Sequence, residues 1–268
     1  TLFRSEMAHN ALRAHGRAVQ MLRQHAKQPL TIGYAPTSGI IYPASDRPED
    51  IEAARKKYFS MPEDDSNWTW NVAWWSDPVL LGKYPEEGLK KYEKYLPKIT
   101  EEDMRLISEP IDVYGQNIYN GRAFRMGADG NPEEVGRVPG AGKTAVNWPV
   151  TPECLYWGPK FLYERYKKPI YITENGMACH DIVSLDQRVH DPNRIDFLAR
   201  YLHELKRAAE EIDLRGYFQW SLMDNFEWEK GYAERFGIVY VDFETQERIL
   251  KDSAYWYRDV IQTNGRDL

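Results

Sequence analysis

Short runs of β-branched and aromatic residues alternate with longer amphipathic runs along this chain. That alternation restricts it to an α/β architecture built on parallel strands. Residues 30–34, 112–119, 170–173 and 217–222 read as strands, the third spelled Ile-Tyr-Ile-Thr. Residues 5–24 read as a helix, with Ala8, Leu12, His15, Val19 and Leu22 on one face. The clearest helix opens at Asp191-Pro192, an N-cap followed by proline in the first turn. It repeats Ile195, Leu198, Leu202, Leu205, Ala209 and Ile212 at spacings of three and four. Further helices are expected at 48–59, 85–96, 100–107 (capped by Thr100), 152–166 and 253–261, with a hairpin from 237–243 to 248–250. This makes about four strand–helix units, whereas a closed parallel barrel takes eight. No Gly/Ser linker or low-complexity stretch interrupts the chain, so one domain over residues 1–268 is expected.

Residues 41–80 form a long excursion that carries Trp68, Trp70, Trp74 and Trp75. Connections of this length are unusual and often functional. The chain has nine Trp and eighteen Tyr among its 268 residues. Indoles stack on the C–H faces of sugar rings, and they also fill apolar cores; composition alone leaves both open. A formal net charge of −6 argues against general nucleic-acid binding, which favours a basic surface. The two cysteines, Cys154 and Cys179, make no disulfide framework and suggest a reducing compartment. Cys179-His180 lacks a second pair at zinc spacing, so neither metal nor cofactor is expected. No window is apolar enough for a membrane span and no signal peptide is visible, which gives a cytoplasmic expectation. The opening Thr1-Leu2-Phe3 lacks an initiator Met, which suggests processing or truncation there. The Asn67-Trp68-Thr69 triplet is expected to be an unused glycosylation sequon.

Three strand ends carry candidate chemistry. Thr173-Glu174-Asn175-Gly176 closes the third strand, and catalytic side chains of parallel barrels project from that end. A Glu in an ordinary strand-to-loop turn is the plainer alternative. Residues 219–228, Gln-Trp-Ser-Leu-Met-Asp-Asn-Phe-Glu-Trp, alternate indoles with groups that hydrogen-bond hydroxyls. Glu227 can accept from two sugar hydroxyls at once, with Trp220 and Trp228 as apolar floor. A core strand with an exit capped by Asp224 or Asn225 is the alternative. Asn117 and Tyr119 end the second strand, where Tyr119 either packs or donates a hydrogen bond that keeps a carboxylate ionised.

The chain resembles the C-terminal part of the family 1 glycoside hydrolases, the β-glucosidase family. The likeness runs from His9-Asn10 and His15-Gly16, through Trp75-Ser76-Asp77-Pro78 and Gly82-Lys83-Tyr84-Pro85, to Arg248-Ile249-Leu250-Lys251. Tyr171 to Gly176 resembles the family's nucleophile signature, and Gly216 to Trp228 with Arg235-Phe236-Gly237 its last strand and loop. The resemblance implies a (β/α)8 TIM-barrel type of fold with only strands five to eight present. It implies Glu174 as nucleophile, oriented by Tyr119 with Asn117 alongside. Trp220, Glu227, Trp228 and Phe236 would line the pocket for the non-reducing sugar, and Trp148 would flank the leaving group. The family's phospho-glycosidases carry a Ser and a Lys-Tyr pair in the last loop. Here Glu227 occupies that region and would repel phosphate, so an unphosphorylated sugar is expected.

Retaining glycosidases use two carboxylates roughly 5–5.5 Å apart. The family's acid/base Glu sits in a Thr-Phe-Asn-Glu-Pro type motif, and this sequence has none. Glu109-Pro110 is its nearest echo, but lacks the Asn and precedes the wrong strand. The expectation is therefore a half-barrel, weakly active or inactive alone. Its partners would be a β-glycoside or oligosaccharide substrate and either a missing N-terminal half or further copies of itself, with no nucleic acid and no membrane. A non-catalytic sugar-binding relative is the alternative.

Overall fold

The computed structural model describes residues 2–62 and 71–268. Trp68, Trp70 and the Asn67-Trp68-Thr69 triplet lie outside the described residues. The elements run α1 (Leu2–His25), β1 (Gly33–Tyr34), β2 (Ile40–Pro43), α2 (Pro48–Phe59), α3 (Val72–Leu81), α4 (Glu86–Lys91), α5 (Glu101–Ile107), β3 (Val113–Asn117), β4 (Gly121–Met126) and β5 (Pro132–Val135). They continue with α6 (Cys154–Tyr166), β6 (Ile170–Asn175), α7 (Pro192–Ala209), β7 (Leu214–Gln219), β8 (Val239–Val241), β9 (Arg248–Leu250) and α8 (Asp252–Thr263).

Local sequence accounts for most boundaries. Thr100 and Asp103 form a reciprocal capping box that starts α5. The Asn71 side chain accepts from the Trp74 N–H at 2.8 Å and starts α3. Lys167, in the left-handed region, ends α6 just before Pro169. The expected helix over 85–96 breaks: α4 stops at Lys91 and a 3-10 turn, Glu93–Tyr95, follows. Asp191 occupies the N-cap position of α7, but its carboxylate bonds elsewhere: the backbone N–H of Ser253 donates to it at 2.8 Å.

The principal sheet has the order β1-β3-β6-β7, and every pairing in it is parallel. Ile170 and Ile172 of β6 are fully buried beneath Phe161 and Leu162 of α6 and Phe197 and Leu198 of α7. Burying each such side chain contributes about 1.5–3 kcal/mol, and this fixes which sheet face the helices cover. On β6 and β7, Tyr171 and Phe218 stack with ring centroids 6.5 Å apart, yet Phe218 is 57% exposed. It is a large apolar ring open to solvent on an outer strand. Among the described residues β1 and β7 each pair on one side only.

A second core gathers Leu12 and Val19 of α1 with Trp74, Tyr84 and Ile107. Leu22 departs from expectation. Although in phase with that face, it is 49% exposed. A small sheet, β2-β4-β5, and the hairpin β8-β9 sit outside the main sheet. No helix among the described residues is long and apolar enough to cross a membrane.

Candidate active site

Because all four principal strands run the same way, their C-terminal ends meet at one edge of the sheet, and the polar residues singled out above collect there. The β3–β6 register slips between Gln116 and Asn117, so that Asn117 pairs with Glu174. The neighbours of Glu174 are all held. Thr173 Oγ1 donates to Asn117 Oδ1 at 2.6 Å. The Ile118 N–H donates to the Glu174 carbonyl at 2.9 Å. Asn175 donates to the Ile118 carbonyl at 2.8 Å and accepts from the Tyr217 hydroxyl at 2.9 Å. With its backbone fixed on both sides, the half-buried Glu174 carboxylate has little freedom to turn away. The Tyr119 hydroxyl donates to Glu174 Oε2 at 2.6 Å, a charge-assisted bond.

Gly176 meets a steric need. A Cβ there would sit 1.9 Å from the Trp220 carbonyl oxygen, so only glycine lets the exits of β6 and β7 cross this closely. β7 itself ends at Gln219, earlier than the strand expected over 217–222. That places Trp220 in the exit, directly over the residue that follows Glu174 and Asn175.

Tyr119 also organises the aromatic wall. Its ring lies 5.1 Å from Trp148 and 6.2 Å from Phe236, which are themselves 5.9 Å apart. Burial, then the hydrogen bond to Glu174 and the charges of Glu174 and Glu227, raise the Tyr119 pKa well above that of a free phenol. It therefore stays a neutral donor through the physiological range. The Glu227 carboxyl is raised above the usual carboxylate range, first by burial and then by Glu229, Glu174 and Glu234, against a hydrogen bond from Trp220 that lowers it.

Thus Asn117, Tyr119, Trp148, Glu174, Trp220, Glu227 and Phe236 form one connected set. Trp228 stands apart: it is 77% exposed, at the start of a 3-10 turn. A polar strand end with one anchored carboxylate, a second carboxylate nearby and aromatic faces has the chemistry to hydrogen-bond and stack a polar ring.

Sequence reasoning overlooked the charged layer behind this wall. Asp224 is not a cap. Its carboxylate takes Arg235 at 2.6 Å and Lys251 at 2.8 Å. Arg194 and Lys251 are fully buried. The detectable signal was Arg194 itself, an arginine one turn before Phe197 and Leu198 on the inward face of α7.

A profile of glycosyl hydrolase family 1 matches residues 3–266. The chain belongs to glycosyl hydrolase family 1. It is 44% identical over 261 residues to beta-glucosidase A of Thermotoga maritima, covering 96% of this chain and 56% of that protein. It is 40% identical over 270 residues to beta-glucosidase A of Acetivibrio thermocellus, covering 97% and 57%. The solved structure of the Thermotoga maritima beta-glucosidase in complex with glucoimidazole superposes with a TM-score of 0.79 at 44% identity, over 96% of this chain and 56% of that one. The chain therefore spans a little over half the length of these family 1 relatives. Its four parallel strands are part of a (β/α)8 barrel.

Proposed function

We propose that this chain carries the nucleophile half of a retaining β-glycosidase that acts on an uncharged glycone, with Glu174 as nucleophile. The observation that carries the reading is the anchored Tyr119–Glu174 pair at a parallel-strand exit, facing Glu227 and the Trp148–Phe236 wall. Glu174 would attack the anomeric carbon as the bond to the leaving oxygen breaks, giving a glycosyl ester that water later cleaves. Asn117 and Glu227 would hold sugar hydroxyls, and Trp148 would flank the leaving group. The acid/base Glu would come from four further strand–helix units that close the sheet at the β1 and β7 edges. Without them, ordinary glycosides would turn over about 10²–10⁴-fold more slowly.

A glycoside whose leaving group needs no proton separates the two steps. With a dinitrophenyl β-glucoside, the chain should release one equivalent of dinitrophenolate per Glu174 and then stall, because no base activates the water. Supplying strands one to four of a family 1 relative should restore steady turnover. Saturable glucoside binding with no burst would instead make the chain a sugar-binding relative.

The same assay reads the supporting residues. Tyr119→Phe should slow the burst roughly 10- to 100-fold, the equivalent of losing about 1.5–3 kcal/mol of hydrogen bonding to a charged group. A change under twofold would assign Tyr119 to packing alone.

Glu227→Gln should weaken glucoside binding by a similar factor, because an amide accepts less strongly than a carboxylate. It should also stabilise the fold at neutral pH. A carboxyl raised on folding contributes stability that is present below its unfolded pKa and lost as pH rises through its folded pKa, and the amide removes that loss. Thermal melts from pH 4 to 8 would show the two proteins converging at low pH. Parallel curves would contradict this.

A further inference from the structure

Six charged side chains lie together behind the aromatic wall. The carboxylates are Asp181, Asp191 and Asp224, and the cations Arg194, Arg235 and Lys251, so the charges cancel. Arg194 bonds Asp181 at 2.7 Å and pairs with Asp191. Lys251 bridges Asp181 at 2.6 Å and Asp224 at 2.8 Å. Arg235 bonds Asp224 at 2.6 Å. These groups come from the loop after β6, the start of α7, the loop after β7 and the junction of β9 with α8.

The layer grips the wall on both sides of Phe236. The Arg235 carbonyl accepts from Arg194 at 2.9 Å and from the Cys179 N–H at 3.1 Å, which ties it to the loop leaving Glu174. The Gly237 N–H donates to Asp224 Oδ1 at 3.0 Å. A Cβ at Gly237 would lie 2.2 Å from the Asp224 nitrogen, so the two passes of this loop have no slack. Buried ion networks add little stability over apolar packing of the same shape, but they do fix directions.

We propose that Lys251, Asp224 and Arg235 are positioning residues for the sugar pocket: they lock residues 221–238 against the exit of β6 and so set Phe236 and Glu227 relative to Glu174. The inference rests on the glycosidase reading above. The three residues act through Phe236 and Glu227, and need not touch the sugar themselves.

Two variants and three readouts test it. Lys251→Met removes one cation and leaves a buried carboxylate in excess. Lys251→Met with Asp224→Asn restores the balance, two carboxylates against two cations, without restoring the grip. In both, the dinitrophenyl β-glucoside burst should slow by about 100-fold, the effect of misplacing reacting groups by about an ångström. Hydrogen exchange should rise in peptides covering 221–238 and stay unchanged in β3 and β6. The double variant should recover melting temperature but not burst rate. Recovery of the burst in step with melting temperature, or unchanged exchange across 221–238, would overturn the proposal. Should the unmodified chain give no burst, the glycosidase reading fails, and the exchange pattern alone then decides whether the layer positions this loop.

Discussion

Glu174→Gln eliminates the dinitrophenolate burst and, in a barrel completed by strands one to four, lowers turnover by on the order of 10⁶-fold. That is the scale of removing a covalent nucleophile that works as part of a unit. The substitution is nearly isosteric. The amide oxygen still accepts from the Tyr119 hydroxyl, and the backbone bonds on either side, through Ile118 and Asn117, do not involve the carboxylate. Stability and glucoside affinity should therefore change little while chemistry disappears, a split that stopped-flow release and a thermal melt measure directly. A loss below tenfold would move the nucleophile elsewhere.

Arg194→Met should have the largest effect on stability, about 3–5 kcal/mol, because breaking a buried ion cluster leaves uncompensated charge. Arg194 is fully buried and pairs with both Asp181 and Asp191, while Asp191 also accepts from the backbone and hydroxyl of Ser253. With the cation gone, Asp191 keeps only the neutral donors of Ser253, and Asp181 must share Lys251 with Asp224. For a chain of this size that loss lowers the melting midpoint by roughly 6–20 °C. A drop of only a degree or two would mean that the cluster is solvated like a surface pair.

The sequence announced the parallel sheet and most of its helices, because β-branched runs and amphipathic periodicity are local signals. The open outer strands were also legible, since four strand–helix units cannot close, whereas the order β1-β3-β6-β7 comes from the structure alone. Glu174 and Tyr119 were readable from strand ends. Their 2.6 Å contact was expected from the resemblance, whereas no spacing rule foresees the slip between Gln116 and Asn117 that pairs Asn117 with Glu174. Gly176 was legible as a glycine but not for its reason, which lies in the distant Trp220 carbonyl. Apart from Arg194 on the inward face of α7, the charged layer was illegible because most of its members are far apart in sequence. Asp224 reads as a cap and Lys251 only as the end of a matching stretch until the fold brings them within 2.8 Å. Trp228, which the resemblance places at the pocket, is 77% exposed among the described residues.

The central claim concerns one ester bond. The most direct measurement treats the chain with a glucosyl fluoride bearing a second fluorine beside the anomeric carbon, which slows hydrolysis of the intermediate, and then maps the peptides by mass spectrometry. One fluoroglucosyl unit on the Glu174 side chain, absent from Glu174→Gln, is the predicted result. A label on Glu227 or any other carboxylate, or a barrel completed by strands one to four that cleaves β-glucosides yet never labels Glu174, would contradict the account.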